Sequence, residues 1–474
     1  MSPEPYTSAP TIAKSPRPVL VLALVIVIVI VSLQAISTPK LVFPLLLGGA
    51  AVALAVLRTK LFLALTLVGL TVHTLVFAHL LPTLFGLPQG VLGAWKEGAI
   101  ALLLVITFAR KVLSGEKLAG GAVNGWLLLY LALGAGYVFM APELLVGLYG
   151  LRNGMAFFLL YFVGANLALS PAELRRLFAL VVVSAVLVSA WGIFQPLVLG
   201  DQFLKDLRYG EDGVLGPSFY IAGFLFQRAL STFSSPNDLA AYLLLVMLVV
   251  LAVLQFETDA SSRKRLHWAL AFMVPCFLYT VSRSAYLGLF CGISVLAVCL
   301  SSRRLIKFLA LFAVVALTIG WATGVMSHFV NTLLFRDPSV VGHLDSLLMS
   351  IRFTWENPFG IGLGMAGPKS GRFAEANFLN SESSYFIVMF QMGIAGILLL
   401  LAIYGSFLRL AWKTYRRCDN RFECGWVLGV FVAFLGIMTQ YLFLPTIEEL
   451  PVSGLLWFFA GTVAQIRSRG VHGA

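Results

Sequence analysis

The 474-residue chain is 59% hydrophobic and only 11% charged, against about 25% charged in soluble domains. That composition excludes a water-soluble globular protein and makes the bilayer its solvent. The formal charge of +12 fits either nucleic acid or an anionic membrane surface, and the position of the charges separates the two.

Apolar runs near 20 residues match a hydrocarbon core of ~30 Å at ~1.5 Å rise per residue. In chain order, spanning helices are expected near 18–36, 41–57, 60–80, 91–109, 123–140, 151–169 and 176–199. They continue near 237–256, 266–282, 284–300, 304–324, 384–408, 425–444 and 452–466. The first run, Val19 to Val31, continues towards Ile36 without an Ala-x-Ala cleavage site, so it reads as a retained helix and not a signal peptide. The expected fold is all-α: one membrane-embedded bundle over 1–474, with about 14 spans (12 to 14) and a large outer-face loop before the third-last span. Five cysteines, at 276, 291, 299, 418 and 424, lie in spans or in a basic loop and read as free thiols.

Lys and Arg in short loops stay on the cytoplasmic side. With the N terminus inside, 22 of the 33 basic residues but 7 of the 21 acidic ones fall inside, giving +15 within and −3 without. Topology and anionic membrane lipids thus account for the basicity, no nucleic-acid partner is expected, and both termini are expected in the cytoplasm. The outer residues concentrate in two loops, 200–236 and 325–383.

Several cations stand where outer helix ends meet those loops: Lys96, Arg152, Arg228 and Arg283. An intramembrane ion costs ~3 kcal/mol unless it snorkels or is answered by an anion, and it marks a functional site by default. For Lys96 a pair with Glu97 is an equal alternative. Arg283, in Ser282-Arg283-Ser284, has no acidic neighbour in sequence. Arg228 opens a segment whose Ser235, Asn237 and Asp238 are cap-type residues before an apolar helix. Two guanidinium groups beside a helix N terminus form a phosphate-type site, with simple capping as the alternative.

Four segments carry a family resemblance: Arg228-Ala-Leu-Ser-Thr-Phe-Ser-Ser-Pro-Asn237, Ser282-Arg283-Ser-Ala-Tyr-Leu-Gly288, Asn357-Pro-Phe-Gly-Ile-Gly-Leu-Gly364, and Glu382-Ser-Ser-Tyr385 leading to Gln391-Met-Gly-Ile-Ala-Gly396. In order and sidedness they resemble the O-antigen ligase and O-antigen or exopolysaccharide polymerase superfamily, over roughly residues 150–400. The resemblance implies a membrane glycosyltransferase of the bacterial cytoplasmic membrane that uses undecaprenyl-diphosphate-linked glycans. It also implies chain-length regulator and flippase proteins as partners. The residues matching Arg228 and Arg283 would hold the lipid diphosphate; beside what the resemblance implies, Lys96, Arg152, Asn237, Arg336 and Tyr385 are expected as further substrate contacts.

Ligases of this superfamily carry a His-Asn pair where this chain has Asn380-Ser-Glu382-Ser-Ser-Tyr385. That departure resembles the polymerases, so the expected function is joining lipid-linked repeat units, with ligation to lipid A-core as the alternative. Glu382 is the first candidate base and His343 the second. Capping is the competing role for Glu382; phosphate binding, sugar binding or an ordinary loop position competes for His343. Gly360, Gly362 and Gly364 read as a source of chain flexibility. No metal and no cofactor are expected, because the arginines supply the positive charge. A transporter or flippase would instead carry its ions along a midplane pathway.

Overall fold

A computed structural model describes residues 39–86, 92–210, 214–221, 226–322, 338–370 and 381–472. Each expected span after the first is occupied by a helix; the first lies outside the described residues. Eight helices among the described residues are long and apolar enough to cross a membrane, so the multi-pass architecture stands at that coarser count. Several of the others carry charge that takes them below that limit, such as Arg263, Lys264 and Arg265 in Ala260–Tyr279. No strand occurs among the described residues; the nearest feature is an isolated bridge between Tyr220 and Gln227.

The chain divides into two compact units, one ending at Leu65 and one beginning at Thr66. The first holds α1 (Pro39–Leu57) and the start of α2 (Thr59–His73), where the Thr59 hydroxyl donates to the Ala55 carbonyl at 2.6 Å.

The second unit holds α3 (Trp95–Ser114), α4 (Ala122–Tyr137), α5 (Leu144–Met155), α6 (Leu159–Asn166) and α7 (Pro171–Phe194). Then come α8 (Pro236–Phe256), α9 (Ala260–Tyr279), α10 (Arg283–Leu300), α11 (Arg303–Ala322) and α12 (Pro338–Glu356). The series ends with α13 (Ser384–Tyr415), α14 (Arg421–Tyr441) and α15 (Leu450–His472). Its centre is α8, apolar on every side and buried from Leu239 to Leu254. Between membrane helices, close packing replaces the hydrophobic drive, and small residues permit it. Accordingly Gly425 and Gly429 of α14, four residues apart, lie against the backbone of Val253 and Val249 of α8.

Ion pairs agree with the sorting of charges into alternating compartments. Arg175–Glu257 and Arg469–Glu423 join residues sorted inside; Arg152–Glu97 and Lys369–Glu449 join residues sorted outside. The free state of the five cysteines agrees as well.

Two features of the loops expected to lie outside depart from the sequence reading. The interval 325–383 carries a helix of its own, α12, so His343 sits on a helix. The glycines that follow supply tight packing and not flexibility. Helix α13 breaks at Gly393, at φ 64° and ψ −163°, and the segment after α12 fills the break. Pro358 O accepts from Ile394 N at 2.9 Å, while Ile361 N and Gly362 N donate to Phe390 O and Gln391 O at 2.8 and 3.1 Å. A helix broken at membrane depth must have its freed backbone groups answered by protein, and this segment answers them. A Cβ on Gly360, itself at φ +76°, would stand 2.5 Å from Gly393 N, and one on Gly150 only 2.1 Å from Gly364 N. Segment 357–364 is therefore a wedge locked between α5 and α13.

Candidate functional site

The wedge delivers Lys369 into a polar cluster at one end of the bundle. Lys369 Nζ donates to Glu448 O at 2.8 Å and pairs with Glu449 Oε1 at 3.1 Å, both in the turn between α14 and α15. Gln391, just before the α13 break, donates its amide to Glu448 Oε1 at 3.2 Å and to Ala366 O at 2.6 Å. Burial opposes charge on Lys369, but Glu449 and Glu448 outweigh it and hold the ammonium above its ordinary range. Burial pushes the Glu448 carboxyl up, with Lys369 and the Gln391 amide pulling against it. A cavity of about 10 Å³, room for about one water, is lined by Glu448, Gln391, Tyr130 and Met392 among others.

Lys96 and Arg152 reach the same cluster. Lys96 Nζ lies 3.0 Å from His73 Nε2 and in the electrostatic field of Lys369, Glu97 and Glu449. The Trp95 indole, which can only donate, fixes His73 Nδ1 as an acceptor at 3.1 Å. Glu97 pairs with Arg152 at 2.7 Å, so the partner expected for Lys96 is taken by a neighbouring helix. Asp238, at the start of α8, accepts from Ser234 and Ser235, each at 2.7 Å, and feels both Glu449 and Lys369.

One residue earlier, Asn237 leads to the arginines. Arg228 Nε donates to Thr280 O at 2.7 Å, Nη1 to Ser218 O at 2.7 Å, and Nη2 to Asn237 Oδ1 at 3.0 Å and Val281 O at 3.3 Å. These bonds tie the C-terminal end of α9 to the start of α8, and a cation is well placed there because helix carbonyls end in negative partial charge. Every one of these acceptors is neutral, so among the described residues no carboxylate is hydrogen-bonded to the guanidinium. Burial, opposed by Tyr286 and aided by the smaller repulsion of Arg283, brings Arg228 down to about 10, which leaves it a cation at neutral pH. Arg283, the exposed first residue of α10, thus stands within Arg228's field.

The remaining expected residues are more scattered. Glu382 is exposed at the turn before α13. The residues after it are pinned to the end of α14 and the following turn: Ser383 Oγ donates to Tyr441 O at 3.2 Å, Ser384 Oγ to Leu444 O at 2.7 Å, and the Tyr385 hydroxyl to Met438 O at 3.0 Å. His343 lies on α12, its side chain outside the described residues, and Arg336 lies outside them entirely.

Sequence reasoning missed Lys369, Glu448, Glu449 and His73, and it named Gln391 in a family segment without giving it a role. The available signal was the Glu448-Glu449 doublet, two carboxylates in a short connection between apolar helices. Its partner Lys369 is 79 residues away in the chain, so only folding identifies the pair.

No curated protein matches the chain. A solved chain from a structure described as "Structural coordination of polymerization and crosslinking by a peptidoglycan synthase complex" aligns with a TM-score of 0.41 and 16% identity, over 74% of this chain and 98% of that one. Residues 268–401 match the family model for O-Antigen ligase, an interval that takes in Arg283, the 357–364 wedge, Glu382 and the α13 break. Over that interval the resemblance read from the short segments is borne out, and the chain is similar to the O-antigen ligase family.

Proposed function

We propose that this protein is a glycosyltransferase that moves a glycan from a polyprenyl diphosphate to an acceptor hydroxyl at the outer face of the cytoplasmic membrane. Its reaction is polymerisation of lipid-linked repeat units. The observation that carries the reading is Arg228, a cation whose described partners are all neutral oxygens, standing in the field of Arg283.

In the transfer, the bond between the anomeric carbon and the diphosphate oxygen breaks and the acceptor oxygen takes its place. Arg228 and Arg283 stabilise the negative charge that grows on the leaving diphosphate. Glu382 takes the proton of the acceptor hydroxyl. Its exposure suits an acceptor arriving from outside, and the bonds of Ser383, Ser384 and Tyr385 hold the adjoining backbone still. The charge is supplied by arginine, so the reaction needs no metal. Polymerisation is favoured over ligation because Glu382-Ser383 stands where ligases carry His-Asn.

Purified protein in liposomes, given a polyprenyl-diphosphate repeat unit, is expected to lengthen the glycan with or without EDTA. Arg228→Ala and Arg283→Ala are expected to lower kcat/KM at least tenfold, and Glu382→Gln to lower kcat while sparing donor binding. Transfer to lipid A-core without lengthening would reassign the protein as a ligase. Equal activity in all three variants would remove the site.

A further inference from the structure

At its N-terminal end, α9 presents a second arrangement that glycan transfer does not use. Ala260, Arg263, Lys264, His267, Trp268 and Ala271, spaced three and four apart and so on one helical face, line an open cleft of about 550 Å³ with Thr258. The polar members of the face come first and the apolar ones follow.

The two cations of the face are set for an anion. Arg263 is anchored through Nη1 to Glu257 O at 3.1 Å. His267 Nδ1 lies 2.7 Å from Arg263 O; a carbonyl can only accept, so Nδ1 carries the proton and the ring is fixed against the backbone, which leaves anion binding to its two cationic neighbours. Lys264 is exposed. The two nearby carboxylates are already engaged. Glu257 is bound by Arg175 and by the amides of Thr258 and Asp259, and Asp259 caps α9 through Ser262 N at 2.7 Å. The cleft is therefore cationic with no competing acid in its lining.

Below these groups the face becomes lipid-like. Trp268 is 60% exposed and the neighbouring Phe272 47%, which suits an amphipathic ring at the membrane interface above an acyl-chain region. From Arg263 to Ala271 the helix rises ~12 Å, enough to run through one headgroup layer of ~5–7 Å into hydrocarbon.

We propose that this face of α9 holds an anionic phospholipid, its phosphate between Arg263 and Lys264 and an acyl chain along Trp268 and Ala271. A basic side chain at a membrane surface contributes ~1 kcal/mol, or about fivefold, to binding an anionic lipid. The double variant Arg263→Gln/Lys264→Gln therefore loses preference for such a lipid by about 25-fold.

The test is native mass spectrometry of the full chain released from nanodiscs of mixed phosphatidylglycerol and phosphatidylcholine. Wild type and Lys307→Gln, an exposed cation on α11 outside the cleft, are expected to retain phosphatidylglycerol selectively, and the double variant to lose that selectivity. A second measurement avoids charge variants: brominated phosphatidylglycerol should quench wild type more than Trp268→Phe, whereas brominated phosphatidylcholine should not. Unchanged retention in the double variant, equal retention of both lipids by wild type, or displacement of the lipid by soluble glycerol phosphate would each overturn the proposal. None of these readouts depends on glycan transfer.

Discussion

Replacing Lys369 by methionine keeps the length and apolar stem of the side chain but removes the charge that Glu448 and Glu449 surround. Glu449 loses its ion pair at 3.1 Å and Glu448 O loses its donor at 2.8 Å. Breaking one side of a buried pair costs ~3–5 kcal/mol, mostly because the surviving charge is left uncompensated. Here 29% of the Lys369 side chain and 19% of that of Glu449 stay exposed, which lets water screen the orphan and places the loss at the lower end, ~3 kcal/mol. The assay is SDS-titrated unfolding in mixed micelles, completed as a cycle with Glu449→Gln and the double variant. The double variant, in which Glu449 no longer stands as an orphaned charge, should be more stable than the sum of the two losses predicts, by ~1 kcal/mol or more. A loss below ~0.5 kcal/mol in Lys369→Met, or strict additivity in the cycle, would refute the claim that this pair anchors the loop to the bundle.

Gly393→Ala should cost ~2 kcal/mol or more, because a Cβ there would stand 2.3 Å from Pro358 O at a φ of +64°; limited proteolysis should then cut within 357–370, and uncut protein would contradict the wedge. The native Glu448 carboxyl keeps its proton to higher pH than the unfolded chain's, so stability should fall as pH rises from ~4.3 through that raised value. Glu448→Gln should flatten this slope while its amide oxygen still accepts from Gln391, and an unchanged slope would assign the titration elsewhere. Gly425→Leu should separate α14 from Val253 of α8 and lower stability by ~1–3 kcal/mol of overpacking, read by the same SDS titration.

The membrane class, the helical fold and the positions of nearly all described helices were legible in the sequence, because a chain in hydrocarbon must satisfy its backbone within each helix and so shows long apolar runs. The sequence also yields an expectation for sidedness, for a related reason: charges cross membranes poorly, and basic loops are retained on the side where they were made. Arg228 and Asn237 could be singled out as neighbours of one helix start, and the structure joins them at 3.0 Å. The glycines of 357–364 looked like flexible chain because sequence shows what a glycine lacks and not what fills the space.

Local pattern therefore determined the helices, their order and the end of the bundle where ions gather. Tertiary structure alone decided that Glu97 answers Arg152 and not Lys96, that the wedge enters the break at Gly393, and that Lys369 meets a carboxylate doublet far along the chain. Hydrophobic periodicity is a property of neighbours in sequence, whereas pairing of ions and fitting of backbones depend on which helix ends the packing brings together.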